Sequence, residues 1–268
     1  MIGTSPLAEA FWRDGRCASC PVYDMHGHMG VWHSIYFPRP DAADMVRTMD
    51  SAGVKMLLFA HHASLFSADV GHGPAIEAVR QFPDRLRAYL PVNGAYPDQI
   101  KTDLKLMDEC PDVFVGIKFL CSYHLVPMTD ERYRPAWELA DERRLLVLAH
   151  TWQDSQYDGP EQVRRIAEQY PNLALLMGHS CHGAWDQAVR LAREFPNVYL
   201  ELTAVLDDRG VIEKFVSEAG ADRMLFGTDL PWFDPHHGIG ALLSADITDE
   251  DRHLILHRNA ERLLAPLL

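Results

Sequence analysis

The sequence predicts an α/β protein folded as a single (β/α)8 TIM barrel, and three observations carry that prediction. Eight short, mostly continuous apolar runs recur along its 268 residues, as parallel strands covered on both faces require. From the run at Val22 to the run at Met224 is about 200 residues in seven steps, roughly 29 per unit, the length of one strand–helix repeat. A proline followed by Asp or Asn separates helix from run at Phe82-Pro83-Asp84, Cys110-Pro111-Asp112, Tyr170-Pro171-Asn172 and Phe195-Pro196-Asn197. Proline cannot continue the helix, and Asp or Asn suits the turn that follows.

Taken in order, residues 1–20 read as an N-terminal lead-in and residues 21–268 as the barrel. Arg13, Asp14 and Arg16 interrupt the lead-in, so no cleaved apolar leader is expected there. Cys17-Ala18-Ser19-Cys20 has the spacing of a zinc knuckle, but no paired Cys or His motif completes one nearby. Two reduced thiols is the expectation. The strand runs follow at Pro21–Tyr23, Val54–Ala60, Leu86–Leu90, Val113–Ile117, Leu145–Ala149, Leu173–Met177, Val198–Leu200 and Met224–Phe226. Helical character lies between them at Asp41–Ala52, Ala75–Gln81, Pro160–Tyr170 and Ala184–Phe195. Thr248-Asp249-Glu250-Asp251 resembles a capping box ahead of Leu254, Ile255 and Leu263. No linker-like stretch or charge block divides the chain. A doubly wound open sheet would need a G-x-G-x-x-G loop after its first strand, whereas this loop reads His26-Gly27-His28-Met29-Gly30.

Composition narrows the function. Thirty-eight acidic against 25 basic residues, a formal charge of −13, argues against a nucleic-acid or anionic-membrane partner. No apolar run approaches the ~20 residues of a membrane span. A cytoplasmic location and a small-molecule substrate are expected, with a homodimer expected only because such barrels commonly pair. Fourteen histidines, gathered in no His-rich tract, are the first hint of chemistry.

In a barrel, catalytic groups gather where strands end. Here the runs end in Asp24-Met25-His26-Gly27-His28, His61-His62, Asn93, Lys118, His150, His179, Glu201 or Thr203, and Asp229. Buried polar groups cost a few kcal/mol each unless satisfied, so their convergence implies a shared partner. His26 and His28 share one side of an extended strand, because side chains alternate with period two. With His150 and Asp229 they offer three imidazole nitrogens and one carboxylate oxygen, a set that suits Zn²⁺ or a similar divalent ion with one position left for water.

These segments, together with Gly116-Ile117-Lys118-Phe119, Met177-Gly178-His179, Phe226-Gly227-Thr228-Asp229-Leu230-Pro231-Trp232 and Asn259-Ala260-Glu261-Arg262-Leu263-Leu264, resemble the amidohydrolase superfamily. The resemblance is to its amidohydrolase 2 branch, which also contains the aminocarboxymuconate-semialdehyde decarboxylases, and runs from about Val22 to Leu264. It implies a distorted barrel with a divalent metal at its C-terminal mouth, Zn²⁺ first and Mn²⁺ as the alternative. By position, His26, His28, His150 and Asp229 would bind the ion, and His179 would contact its water or the reacting carbonyl. In some branches a lysine at the place of Lys118 is carboxylated and bridges two metals. The Gly-Ile-Lys-Phe context is closer to the one-metal branch, with Lys118 binding a substrate anion or pairing with Asp24 or Glu201. Trp152, Trp232 and His61, in loops after strands, are expected to touch substrate.

Two reactions fit. Metal-activated water would hydrolyse an amide, lactone or ester, with Asp229 relaying the proton and His179 stabilising the oxyanion. The alternative is non-hydrolytic decarboxylation of an aromatic or muconate-type acid. That reaction calls for basic groups in the pocket, and only Arg39, Arg134 and Arg209 are near at hand, so hydrolysis is the main expectation. A barrel that binds without turnover would have lost a ligand; all four positions are filled.

Overall fold

The computed structural model describes residues 5–66, 70–205 and 208–268. Eight strands, β1 (Val22–Met29), β2 (Val54–His61), β3 (Leu86–Val92), β4 (Phe114–Phe119), β5 (Leu146–Trp152), β6 (Ala174–His182), β7 (Val198–Glu201) and β8 (Met224–Leu225), pair in sequential order and in parallel. The short β8 is joined back to β1. Met25 N–H donates to the Phe226 carbonyl at 2.9 Å and His28 N–H to that of Leu230 at 2.7 Å, beside a bridge from Gly27 to Leu230. The sheet therefore curls into a (β/α)8 barrel, with helices between its strands.

Every position of β1, β4 and β7 is buried, the polar Asp24, His26, His28, Lys118 and Glu201 included, so these strands show no alternation between a buried and a solvent face. The side chains of the sheet divide between two apolar layers. Tyr23, Met25, Met56, Leu58, Tyr89, Leu146, Leu148 and Leu176 fill the barrel interior. Alternate residues such as Leu57, Phe59, Val147, Ala149, Leu175 and Met177 face the helices. The helices meet that outer layer with one apolar stripe each. Helix Trp185–Glu194 buries Ala188, Val189, Leu191 and Ala192. Helix Ala42–Ala52 starts at an Asp41 cap, buries Met45, Val46 and Met49, and stops at Gly53 in the left-handed region, φ 80°. The capping box at Thr248 and Asp251 is formed on both sides. The lead-in holds one helix, Pro6–Asp14, which buries Leu7 and Phe11. Among the described residues, no helix is long and apolar enough to cross a membrane.

Gly116 shows how tightly the strands are set. A Cβ there would overlap the Leu146 carbonyl oxygen of the neighbouring strand, and backbone cannot step aside as a flexible side chain can. Gly116→Ala is expected to destabilise the fold by about 1–3 kcal/mol, read as a lower urea midpoint; an unchanged midpoint would show that β4 and β5 tolerate separation.

Candidate metal centre

A break in β1 aims the first two histidines. Tyr23 and Met25 point into the barrel, and strict alternation would turn His26 and His28 outward. The β1–β2 register slips by one residue between Asp24 and Gly27, and this bulge turns His26 and His28 inward instead. Asp24 holds the bulge to the loop after β8. Its Oδ1 accepts from His26 N–H at 3.2 Å and Thr228 N–H at 3.1 Å, and its Oδ2 from the Thr228 hydroxyl. Burial pushes this carboxyl up to about 8, against those hydrogen bonds.

Three histidines are oriented through Nδ1. His26 Nδ1–H donates to Glu201 Oε2 at 2.9 Å, His28 Nδ1–H to the Ala60 carbonyl at 3.2 Å, and His150 Nδ1–H to Asp158 Oδ2 at 3.1 Å. Each ring is left with its Nε2 lone pair for a partner, the arrangement found behind metal-bound histidines. Asp229 Oδ1 lies 3.3 Å from His26 Nε2 and 3.1 Å from His28 Nε2, yet it is buried without a hydrogen bond. Burial by itself would raise the Asp229 carboxyl, but the imidazoles of His26 and His28 hold it well below the usual carboxylate range. Burial, reinforced by Lys118, drives His26 well below the ordinary imidazole value, and burial does the same for His179. The Nε2 atoms of His26 and His28 and the Asp229 carboxylate thus face one another. That donor set fits a divalent cation.

The ligand atoms of His26, His28 and Asp229 all lie within 4.8 Å of one another. His150 stands outside that group. Asp158 and Ser122 hold its Nδ1, and its ring centroid is 4.9 Å from that of His179. His179 Nδ1 is buried with no hydrogen-bond partner, and its ring centroid is 5.1 Å from that of His26. Its backbone is left-handed, φ 65°, as are Ser180 at 49° and Cys181 at 51°. Three such non-glycine residues in succession are strain of the kind that gathers at functional sites.

Lys118 is buried, and its Nζ lies 2.8 Å from His26 Nε2 rather than on Asp24 or Glu201. A metal and this lysine compete for the same lone pair, so only one of them can use it at a time. Burial lowers the Lys118 amine to about 8, against the pull of Asp229, Glu201 and Asp158. Glu201 is instead a hub, accepting from His26 Nδ1–H, from His179 N–H at 3.1 Å, and from Thr203 N–H at 2.8 Å and its hydroxyl at 2.6 Å.

Above these groups opens a cavity of about 200 Å³. Lys118, His28, His150, His179 and Asp229 form its polar side, and Trp32, Tyr123, Trp152, Trp232 and Phe233 its aromatic walls. Trp152 and Trp232 stand where a substrate-contacting role is expected of them. His61 does not line the cavity; its ring packs over Gly30. Strand β2 ends at His61 and a helix begins at His62, so the change of backbone direction sends the second histidine to the cavity. His62 stacks 4.9 Å from His28 and accepts from Trp232 Nε1–H at 3.1 Å. Arg39, Arg134 and Arg209 are exposed, and none lines the cavity. Sequence reasoning misses Trp32, Phe233 and Asp158. The two aromatics closely follow the first-strand and last-strand motifs, and that proximity is the signal that could have found them. Asp158, eight residues beyond His150, has no sequence signal at all.

A family model described as amidohydrolase matches residues 23–265. No curated protein sequence matches the chain. Among solved structures, a 2,6-dihydroxybenzoate decarboxylase from Rhizobium superimposes with a TM-score of 0.71 at 17% identity, covering 92% of this chain and 99% of its own. A 5-carboxyvanillate decarboxylase from Novosphingobium aromaticivorans, complexed with manganese and 4-hydroxy-3-methoxy-5-nitrobenzoic acid, gives 0.72 at 15%, covering 92% and 96%. A probable 2-pyrone-4,6-dicarboxylic acid hydrolase from Acinetobacter baumannii gives 0.65 at 12%, covering 91% and 99%. At these identities the likeness is one of fold.

Proposed function

The chain belongs to the amidohydrolase family, and from that premise we propose that it is a metal-dependent decarboxylase of a small aromatic carboxylic acid. The observation that carries this reading is the cavity itself: about 200 Å³, walled by five aromatic rings and floored by a metal-ligand set with a buried lysine. That is space for a single ring, held flat between π-faces. His26, His28 and Asp229 would hold the ion, with His150 as fourth ligand through its Nε2. One ion is favoured, because the Gly116-Ile117-Lys118-Phe119 context is closer to the one-metal branch of the family. Bound there, Zn²⁺ or Mn²⁺ supplies a Lewis-acid centre for the substrate's oxygens.

The protein's own residues do the rest. Lys118 supplies the positive charge that a decarboxylase pocket calls for, in the place of an arginine, and it receives the carboxylate. His179, neutral and with its Nδ1 unpartnered, hydrogen-bonds a ring substituent. Breaking the ring–carboxylate bond leaves its electron pair on the ring carbon, carbon dioxide departs, and one proton must arrive at that carbon. Asp229 relays it through Oδ2, since its Oδ1 is buried between two imidazoles.

Two related folds bear the names of decarboxylases, and both names specify hydroxylated or alkoxylated benzoates; they support this reading over hydrolysis. Hydrolysis of a lactone or ester is the second reading, favoured by the absence of arginine from the cavity lining among the described residues. Incubating metal-loaded protein with hydroxybenzoates and lactones in D₂O separates the two. The expected result is carbon dioxide release and a product carrying deuterium at the former carboxylate carbon. Acid release from lactones without any carbon dioxide would overturn the proposal, and chelation should abolish the reaction either way.

A further inference from the structure

A second set of metal-ligand side chains lies at the other end of the barrel. Cys20 precedes β1 by two residues, and six residues of extended chain, about 20 Å, separate it from His26. His253 and His257 sit on the C-terminal helical segment. The ligand atoms of Cys20, His253 and His257 all lie within 4.8 Å of one another. His253 Nδ1–H donates to His257 Nε2 at 3.0 Å, a hydrogen bond that a metal would replace, and the separation is close to the ~3.3 Å that two nitrogens span on a tetrahedral zinc with bonds of roughly 2.0–2.1 Å.

Three further features set this apart from a chance pair of surface histidines. His257 Nδ1–H donates to Glu261 at 3.1 Å, which fixes its tautomer and turns the Nε2 lone pair toward His253 and Cys20, as a carboxylate does behind a metal-bound histidine. The helix is π-wound over Leu254–Arg258, between and through the two histidines, and such interruptions concentrate at functional sites. Cys20 is buried while Cys17, on the same turn through a Cys20 N–H to Cys17 carbonyl bond of 3.2 Å, is only partly so. The spacing is therefore C-x-x-C with H-x-x-x-H, the ligand spacing of a Cys₂His₂ site, assembled from opposite ends of the chain.

We propose that Cys20, His253 and His257, completed by rotation of the Cys17 side chain, bind a second, structural divalent metal, Zn²⁺ by the softness of its ligands. Binding displaces a proton from each thiol to solvent and leaves the imidazoles neutral. The site clips the segment entering β1 to the C-terminal helix, at the barrel face where residues serve stability rather than catalysis. It does not depend on the proposed reaction.

Cobalt substitution tests it, because the catalytic set contains no sulfur. Co²⁺-loaded wild-type protein is expected to show a near-ultraviolet thiolate-to-cobalt charge-transfer band that Cys20→Ala removes and Asp229→Asn leaves in place. Metal content should fall from two ions per chain to one in Cys20→Ala and in His257→Ala, with melting temperature lowered in both. Cys17→Ala should weaken the band, and an unaltered band would remove Cys17 from the set. Cobalt-loaded wild-type protein lacking the band, or a band unaffected in both Cys20→Ala and His257→Ala, overturns the site even if either variant folds poorly.

Discussion

Asp229→Asn is expected to abolish turnover, with kcat/KM down by about 10³-fold or more. The substitution keeps the shape of the side chain but removes the carboxylate whose oxygen touches both His26 and His28. Two effects compound. Losing a positioned proton relay costs about 10²–10⁴-fold, and a neutral amide no longer balances a divalent charge, so catalytic-site metal content should fall with it. The amide oxygen introduced by the substitution would still accept hydrogen bonds, and the backbone staple through Asp24 and Thr228 is untouched, so circular dichroism should report an intact barrel. Steady-state kinetics with metal analysis on one preparation checks this. Activity within a few fold of wild type, at normal metal content, removes Asp229 from both roles.

Glu201→Gln should produce the second-largest effect, although Glu201 lines no part of the cavity. Its carboxylate is fully buried and accepts four hydrogen bonds. An amide nitrogen on either side of the new side chain confronts N–H groups that can only donate, those of His26 and His179 or that of Thr203. The expected loss is about 10–100-fold in metal affinity, because the carboxylate that orients a ligand histidine is gone, with about 1–3 kcal/mol of stability from the unpaired donors. Excess metal should restore part of the activity in Glu201→Gln and none in Asp229→Asn. Equal failure of both variants to respond to metal would show that Glu201 does not act through His26.

The barrel is legible in the sequence because its signals are local. Eight apolar runs, their even spacing and the proline stops each arise within about 30 residues, and parallel strands covered on both faces leave no other pattern. The mouth is legible for the same reason: strand ends are marked by where the apolar runs stop, so His26, His28, Lys118, His150, His179 and Asp229 can be placed together without coordinates. Which atoms meet there is not. The inward turn of His26 and His28 depends on a bulge, a register slip between β1 and β2 that no single run displays. The choice of His62 over His61 depends on where β2 bends into its helix, a one-residue matter.

What the sequence by itself determined, then, is the fold, the mouth where its polar strand ends gather and the residue types available there. The tertiary structure alone decided which of those residues share a lone-pair cluster, that Asp158 stands behind His150, and that Cys20 of the C-x-x-C pair faces His253 and His257. The reason is distance along the chain. Helix and strand patterns come from neighbours a few bonds apart, whereas each candidate ligand cluster joins side chains from the two ends of the chain, and only closure of the barrel seam brings them within reach.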